Sequence, residues 1–213
     1  MIIAVDGPAA SGKGTLARRL AKHYGLAHLD SGLLYRATAL QVLLAGGDPA
    51  KPADAVAGAK LVRPDQLSDP RLKEERTAEA ASLVSAVPGV RAVLLGFQRD
   101  FTQNPPGGAK GAVLDGRDIG TVVLPEARVK LFVTASLDIR AERRYHELLA
   151  RGGAVPDLAE IRADMAARDE ADRNRTTAPL RPAADATILD TSTLTADEAL
   201  ARAEAIIRWK LGV

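Results

Sequence analysis

A glycine-rich segment near the start of the chain holds the residues best suited to chemistry. It reads GPAASGKGT and follows the apolar run MIIAV. The spacing Gly7-x4-Gly12-Lys13 matches a phosphate-binding loop, in which backbone N–H groups wrap an anion and the lysine reaches the β- and γ-phosphates of a nucleotide. The pattern predicts a nucleotide site made of Gly7, Pro8, Ala9, Ala10, Ser11, Gly12, Lys13, Gly14 and Thr15.

The hydroxyl of this loop stands one position later than in the general motif. Ser or Thr usually follows the lysine directly and binds Mg²⁺, whereas Gly14 follows Lys13 here and the hydroxyl belongs to Thr15. The order GKGT is the form seen in nucleoside monophosphate kinases. We therefore expect Thr15 to contact a phosphate and Mg²⁺ to be held largely by phosphates and water, so no side chain is assigned as a metal ligand.

Three further segments combine arginine with aspartate. They are LDSGLLYR with Asp30, Ser31 and Arg36, LDGRDIGTVVLPEA with Asp115, Arg117 and Asp118, and RDEADRNRTTAPL with Arg168, Asp172 and Arg175. Arginine presents a planar fork that binds phosphate oxygens in pairs. The last segment, taken alone, also fits a solvated helix whose three charged residues share one face. Beside a phosphate-binding loop, the segments together indicate a site for an anionic acceptor.

Three classes of nucleotide-binding protein compete at this point. A GTPase would need Asn-Lys-x-Asp or Thr-Lys-x-Asp to read guanine, and the chain contains neither NK nor TK. A motor-type ATPase would want an acidic pair after AVLD, where Gly116-Arg117-Asp118 stands instead. A small-molecule kinase needs cationic groups for its acceptor and a mobile cover that excludes water. The residues favour the kinase, and a nucleotide-sensing module without turnover is the alternative.

The elements that must position these residues follow an alternating pattern. Short apolar runs predict five buried strands, at 2–5, 27–29, 112–115, 129–135 and 186–191. Helical patterns separate them, which predicts an α/β fold with a mainly parallel sheet and ligands at the carboxyl ends of the strands. We expect Ser31 to cap the second helix. In the last helix, Thr195 and Glu198 form a capping box, and Trp209 is expected to pack that helix onto the core.

Composition narrows the possible functions. The 213 residues include no cysteine, which excludes disulfides and thiolate chemistry. Aromatic residues make up 3% and the net charge is +2, which argues against a nucleic-acid partner. The histidines at positions 23, 28 and 146 lie far apart, without the spacing of metal ligands. No signal peptide or membrane span is recognisable, so we expect a cytoplasmic protein, and in the absence of a long apolar stripe a monomer.

The motifs together resemble those of bacterial cytidylate kinases. The similarity runs in order through DGPAASGKGT, LDSGLLYR, EAASLVSAVPGVR, LDGRDIGTVVLPEA and RDEADRNRTTAPLRPAADATILDT, which span nearly the whole chain. DGRDIGT and the RD…DRNR…PL segment are specific to that family, unlike the phosphate-binding loop. The resemblance implies a P-loop kinase fold with a core, a monophosphate-binding insert and a lid. It implies transfer of a phosphoryl group from ATP to CMP or dCMP.

The resemblance also assigns roles to individual residues. Arg36, Arg117 and Arg175 would hold the acceptor phosphate, Ser82, Arg91 and Asp118 would read the cytosine edge, and Arg168 and Asp172 would contact the sugar. Asp30 and Ser31 would also belong to the substrate site. Lys13, Arg117 and Arg175 would carry the catalysis. From the residues alone, Ser82 would be a helix cap and Arg91 a surface charge. The same fold could also serve another acceptor, with UMP, dTMP or shikimate as the alternatives.

The insert departs from the family pattern. Family members often have a β-hairpin before the AAS helix, whereas only VRPDQLSDPRLKEER stands there in this chain. We therefore expect a short, mostly helical insert at residues 47–110 and a lid at residues 151–175. The core would comprise residues 1–46, 111–150 and 176–213.

Overall fold

A five-stranded sheet carries the fold in the structure, a computed structural model that describes residues 1–152 and 155–212. The strands are β1 (Ile2–Asp6), β2 (Ala27–Asp30), β3 (Ala112–Gly116), β4 (Val129–Thr134) and β5 (Thr187–Asp190). Their order in the sheet is β2-β3-β1-β4-β5. β1 pairs in parallel with β3 and β4, and β4 pairs in parallel with β5. The predicted α/β fold with a mainly parallel sheet is confirmed.

Helices fill the chain between and after the strands. In chain order they are α1 (Lys13–Tyr24), α2 (Ser31–Leu44), α3 (Pro52–Lys60), α4 (Glu75–Ser85), α5 (Pro88–Gln103), α6 (Leu137–Arg151), α7 (Leu158–Asn174) and α8 (Ala196–Leu211). The structure divides into two compact units. The first comprises Met1–His28 with Pro105–Val213, and the second comprises Leu29–Asn104.

The core of the first unit explains why β1 and β3, in the middle of the sheet, are almost entirely apolar. Ile3 and Val5 of β1 and Leu131 of β4 are buried together with Leu20 of α1 and Ile207 of α8. A parallel sheet with helices on both faces has no solvated side, so its strands lack the polar alternation of a half-exposed sheet. The apolar runs of the sequence are the direct consequence.

Trp209 does not pack α8 onto the core, contrary to the sequence-based expectation. Its side chain is 72% exposed, and the buried residues of α8 are Ala199, Ala203 and Ile207. These three recur every four residues along one face of the helix. Trp209 lies two positions after Ile207, about 200° around the helix, and therefore on the side away from the core.

The start of α2 also differs from the prediction. Asp30, not Ser31, is the N-cap, and its carboxylate accepts a hydrogen bond from the Gly32 N–H at 2.9 Å. Ser31 is the first residue of the helix and is buried. Aspartate and serine are both good caps, so the choice between two adjacent candidates could not be made from residue type.

Helix α3 lies in a stretch where the sequence has no clear periodicity. It packs against α2 in the second unit through the small residues Ala55, Gly58 and Ala59. A Cβ at Gly58 would lie 2.9 Å from the Thr38 carbonyl oxygen and 2.6 Å from a methyl of Val42. The two helices therefore approach too closely for large apolar side chains at their contact. Because the contact is made by small residues, the sequence of α3 shows no apolar stripe.

Within residues 1–152 and 155–212, no single helix is long and apolar enough to cross a membrane. Only Glu75–Ser85 taken together with Pro88–Gly108 reaches that length and composition, and this pair is bent by 101°.

Candidate active site

The glycine-rich loop connects β1 to α1, as the sequence predicts. A Cβ at Gly7 would lie 2.0 Å from the Val133 carbonyl oxygen, so no side chain fits at this position. Ala10, at φ 55°, has a left-handed backbone that is uncommon for a residue with a side chain. Such strain occurs at ligand-binding loops, where successive N–H groups must converge on an anion. Lys13 begins α1, and its Nζ donates to the Pro8 carbonyl oxygen at 3.1 Å.

Thr191, just after β5, is hydrogen-bonded to the backbone of the phosphate-binding loop. Its Oγ1 lies 2.9 Å from the Ser11 carbonyl oxygen and 3.1 Å from that of Thr134. Arg143 of α6 donates to Thr191 Oγ1 at 3.0 Å and to the Thr191 carbonyl oxygen at 2.7 Å. Ser11 Oγ is buried and has no hydrogen-bond partner among the described residues. A buried hydroxyl of this kind in an anion-binding loop is suited to a phosphate oxygen.

Asp6 connects the start of this loop to the DGRD segment. Its two carboxylate oxygens accept hydrogen bonds from the N–H groups of Ile119 and Gly120, each at 2.7 Å. Burial raises the pKa of Asp6 to about 6, although both N–H groups act in the opposite direction. The contact holds a π-helical turn, Ile119–Val123, whose N-cap is the buried Asp118. The carboxylate of Asp6 thus fixes the backbone beside Asp118.

Asp115, the next-to-last residue of β3, is hydrogen-bonded to a histidine. His28 Nε2 lies 2.7 Å from Asp115 Oδ1, and the Asp115 side chain is 3% exposed. The other carboxylate oxygen points toward α1, since a Cβ at Gly14 would lie 3.5 Å from it. The sequence gives His28 no metal-ligand spacing, and in the structure it orients a buried carboxylate beside the phosphate-binding loop.

The structure brings Arg117, Asp172 and Arg175 together. Arg117 Nε donates to Asp172 Oδ2 at 2.9 Å, and Arg175 Nη1 lies 3.5 Å from Asp172 Oδ1. Arg175 Nη2 also donates to the Ala178 carbonyl oxygen at 3.0 Å. Burial alone would raise the pKa of Asp172, but the charges of Arg117 and Arg175 hold that pKa below its usual value. Asp172 is therefore an anion at neutral pH that orients two guanidinium groups.

The helical face predicted for Arg168, Asp172 and Arg175 is only partly present. Arg168 and Asp172 lie on α7, but the helix ends at Asn174, and Arg175 has the extended ψ of 135°. Arg175 reaches Asp172 from the segment after the helix. Arg168 is exposed, and its charge contributes to the lowered pKa of Asp172.

The other residues predicted for the substrate site belong to the second unit. Arg36 of α2 donates through Nη1 to the Leu72 carbonyl oxygen at 2.7 Å. Arg91 of α5 donates through Nε to the Ser85 carbonyl oxygen at 2.8 Å. Its guanidinium lies 5.3 Å from the ring centroid of Tyr35, a cation–π contact, and Nη1 lies 3.3 Å from the tyrosine hydroxyl.

Ser82 lies in the last turn of α4, where it is exposed and does not cap the helix. Its carbonyl oxygen accepts a hydrogen bond from Ser85 Oγ at 2.9 Å, and Ser85 in turn accepts from Arg91. Ser82 and Arg91 are thus related through one intervening residue. No motif in the sequence marks Ser85 or Tyr35, although Tyr35 directly precedes Arg36.

Several residues at the site were missed or left without a role by sequence reasoning. Asp6 directly precedes Gly7, and this position beside the phosphate-binding loop could have identified it as a site residue. Arg140 and Arg143 belong to the arginine-rich start of α6, where spacing alone does not separate buried from solvated arginines. Across residues 1–152 and 155–212, no group of three or more His, Cys, Asp or Glu side chains is placed to hold a metal ion.

The strand–loop–helix, the lysine at the start of α1 and the arginine pair around Asp172 define a P-loop kinase. The similarity to a crystallised protein of Eubacterium ventriosum agrees with this fold, since its TM-score is 0.54 at 15% identity, covering 100% of this chain and 99% of the other. The family model for cytidylate kinase matches residues 3–208, and this chain belongs to that family.

Curated relatives lie close in sequence. The chain is 59% identical to the cytidylate kinase of Granulibacter bethesdensis, over 99% of this chain and 98% of the relative. It is 58% identical to that of Paramagnetospirillum magneticum, over 98% of each chain, and 54% identical to that of Rhodospirillum rubrum, over 99% and 98%. The protein is a nucleoside monophosphate kinase that uses ATP to phosphorylate CMP or dCMP.

Proposed function

We propose a division of roles among the residues for the transfer of the γ-phosphoryl group from ATP to CMP or dCMP. The loop from Gly7 to Thr15 binds the donor phosphates, and Lys13 offsets the charge of the group in transfer. The strained backbone at Ala10 and the buried hydroxyl of Ser11 support a tightly bound anion in this loop. Lys13 begins α1, where the partial positive charge of the helix adds to its own.

The acceptor phosphate is bound by Arg36, Arg117 and Arg175 in this proposal. The observation that carries it is the Arg117–Asp172–Arg175 arrangement, because Asp172 fixes the direction of two guanidinium groups before a phosphate arrives. The acceptor oxygen of a nucleoside monophosphate is already anionic near neutral pH, so no general base is needed. Catalysis then consists of positioning the two phosphates and stabilising the charge that develops between them.

Asp118, Ser82 and Arg91 read the cytosine, and Arg168 and Asp172 contact the sugar. Cytosine carries an amino donor where uracil carries a carbonyl acceptor, so a buried carboxylate at Asp118 favours cytosine. Its place as N-cap of the turn that Asp6 holds supports a fixed orientation for this residue. Arg91, held by the Ser85 carbonyl oxygen, then donates to the cytosine carbonyl. Asp30 and Ser31, at the start of α2, complete the substrate site.

Mg²⁺ fits this donor site. The ion usually retains several waters and binds through one or two carboxylates together with substrate phosphates. Asp115 offers one buried carboxylate beside Gly14, and His28 fixes its orientation. Asp115, to which the sequence assigned no metal role, would hold the ion together with the donor phosphates and water. When bound, Mg²⁺ neutralises charge on the donor phosphates.

We also propose that residues 47–110 form the monophosphate-binding insert and residues 151–175 the lid. Residues 153 and 154 of the proposed lid lie outside the described residues. The enzyme is proposed to act in the cytoplasm as a monomer, without a nucleic-acid or membrane partner. The mild net charge of +2 and the low aromatic content support the absence of a nucleic-acid partner.

A coupled ADP-release assay tests the proposed acceptor. CMP, dCMP, UMP, dTMP and shikimate are compared at equal concentrations with MgATP. We expect CMP and dCMP to give the largest kcat/KM. Faster turnover with UMP or dTMP would contradict the proposed roles of Asp118 and Ser82. Binding of nucleotides without ADP release would identify a sensing module and contradict the proposal as a whole.

A further inference from the structure

A buried ion pair joins α6 and α7 and takes no part in the roles assigned above. Arg140 Nη2 lies 2.6 Å from Asp169 Oδ2, and each side chain is 4% exposed. Fully buried ion pairs are uncommon, because removing two charges from water costs about as much as their attraction returns. The position of this pair therefore requires a reason.

The same guanidinium also contacts the phosphate-binding loop. Arg140 Nη1 donates to the Ala9 carbonyl oxygen at 3.3 Å, and Nε donates to the Ala135 carbonyl oxygen, just after β4, at 3.0 Å. The three guanidinium nitrogens of Arg140 thus bind the phosphate-binding loop, the end of β4 and α7. A lysine has no planar fork and could not reproduce this set of contacts.

Helix α7 is also the helix that bears the proposed sugar-binding residues. Asp169 lies between Arg168 and Asp172 in the sequence of α7. Apolar contacts follow the same path, since Ile161 and Met165 of α7 form a cluster against which Ala9 and Ala10 of the loop pack. Any shift of the phosphate-binding loop relative to α7 would have to break the Arg140 contacts or this apolar cluster.

Stability alone is a poor explanation for the pair. Asp169 Oδ1 is buried and has no hydrogen-bond partner among the described residues, which is itself unfavourable. Well-packed apolar side chains of similar size are often as stabilising as a buried ion pair. What an apolar pair cannot supply is a directional contact to the Ala9 carbonyl.

We propose that Arg140 and Asp169 are positioning residues that hold the phosphate-binding loop and α7 in one arrangement and thereby couple ATP binding to CMP binding. This inference rests on the proposed role of α7 in binding the acceptor. It predicts that each nucleotide raises the affinity of the other, because each stabilises the same arrangement of loop and helix. In this role neither residue needs to contact a reacting atom.

The test compares Asp169→Asn and Arg140→Lys with a control on the same two helices. Arg162 of α7 pairs with Asp138 of α6 at 2.6 Å, but these side chains are 53% and 70% exposed. Arg162→Met therefore removes an ion pair between α6 and α7 that does not reach the loop. The dissociation constant of a non-hydrolysable ATP analogue is measured by calorimetry with and without saturating CMP, and the ratio of the two values reports the coupling.

We expect a ratio of about fivefold or more in the parental protein and in Arg162→Met, as is typical of coupled sites. Asp169→Asn and Arg140→Lys should bring the ratio to within about twofold of one. A parental ratio near one, an unchanged ratio in both buried variants, or an equal loss in Arg162→Met would overturn the inference.

The double variant Arg140→Met/Asp169→Leu separates positioning from packing. Single substitutions should lower Tm by about 10 °C, whereas the apolar pair should recover most of that loss. The coupling ratio of the double variant should nevertheless stay near one. Recovery of both Tm and coupling would reduce the ion pair to a packing element and overturn the inference, even if the single variants fail to fold.

Asp172→Ala distinguishes failure of this inference from failure of the acceptor assignment. Normal CMP affinity in Asp172→Ala would contradict the sugar-binding role of α7. Loss of CMP affinity there, together with unchanged coupling in Asp169→Asn, would contradict only the positioning role of the ion pair.

Discussion

Lys13 is the only charged residue of the phosphate-binding loop, so its removal tests the donor site. We expect Lys13→Ala to lower kcat by about 10³-fold, since it removes a charge aimed at the transferring group in a site shielded from water. Lys22→Ala, an exposed lysine on the same helix, is the matched control and should retain parental activity. Steady-state kinetics and a thermal melt of both variants provide the measurement. Near-parental activity in folded Lys13→Ala would remove the loop from the donor site.

Asp118 is the residue on which the choice of base depends most. Asp118→Asn should lower kcat/KM for CMP by about 30-fold or more while affecting UMP much less, because breaking a buried charged contact costs ~2–5 kcal/mol. Arg36→Ala should harm both acceptors equally, since a phosphate contact carries no information about the base. The measurement is kcat/KM for CMP and UMP in the parental protein and both variants. An equal loss for CMP and UMP in Asp118→Asn would show that Asp118 does not read the base.

The lowered pKa of Asp172 makes part of the stability depend on pH. A carboxylate with a folded-state pKa below its unfolded value stabilises the protein above the unfolded pKa, near 3.9, and loses that effect as pH falls through the folded pKa. Asp172→Asn should therefore be less stable than the parent by ~2 kcal/mol near pH 7. The difference should shrink below about pH 4. Denaturant unfolding at pH 7, 5 and 3 measures it, and a difference that stays constant to pH 3 would contradict the ionised pair.

At the scale of elements, the strands were predictable because their burial in the sheet requires mostly apolar residues, which stand out in the sequence as short runs. Every strand of the sheet begins and ends within one residue of the predicted bounds. Helix ends were less predictable, because they depend on tertiary contacts. Asp30 and Ser31 are equally suitable caps, and Arg175 left the expected helical face because α7 ends at Asn174, ahead of the Ala178 carbonyl that Arg175 binds.

Helix α3 shows most clearly why close packing hides an element from sequence analysis. Gly58→Ala should destabilise the protein by ~1–3 kcal/mol, since its Cβ would lie 2.9 Å from a backbone oxygen that cannot move cheaply. Gly96→Ala, inside α5, is the matched control. A Cβ there meets nothing within 4 Å, and replacing a helix glycine should stabilise by ~0.5–1 kcal/mol. Chemical denaturation of the two variants should give opposite signs. Equal signs would contradict the close approach of α2 and α3.

The site residues divide into those that motifs reveal and those that only the fold reveals. Lys13, Arg117 and Asp172 belong to recognisable motifs and were predicted. Asp6 and Arg140 act through backbone atoms far away in sequence, Ile119 and Ala9 respectively, and spacing cannot indicate such contacts. The residues proposed to read the base were assigned from family resemblance, because an exposed serine such as Ser82 has no distinguishing pattern of its own.

For the whole molecule, the proposed lid predicts a change of order on binding. Amides of α7 should exchange more slowly when CMP and an ATP analogue are both present, since residues 151–175 are rich in charge and the buried residues of α7 are Ile161, Met165 and Asp169 alone. Amides of α8, which packs in the core through Ala203 and Ile207, serve as the internal reference and should change little. Hydrogen exchange with mass spectrometry makes the measurement. Equal exchange in α7 with and without both ligands would exclude a lid.

The exposed position of Trp209 has a practical consequence for every stability measurement above. It is the only tryptophan of the chain, and its side chain is 72% exposed in the folded protein. Its indole is already hydrated before unfolding, so its emission should be red-shifted in the native state and change little when the chain denatures. Intrinsic fluorescence would then report a transition too small to fit. Circular dichroism of the helices, or calorimetry, is the appropriate signal for this enzyme.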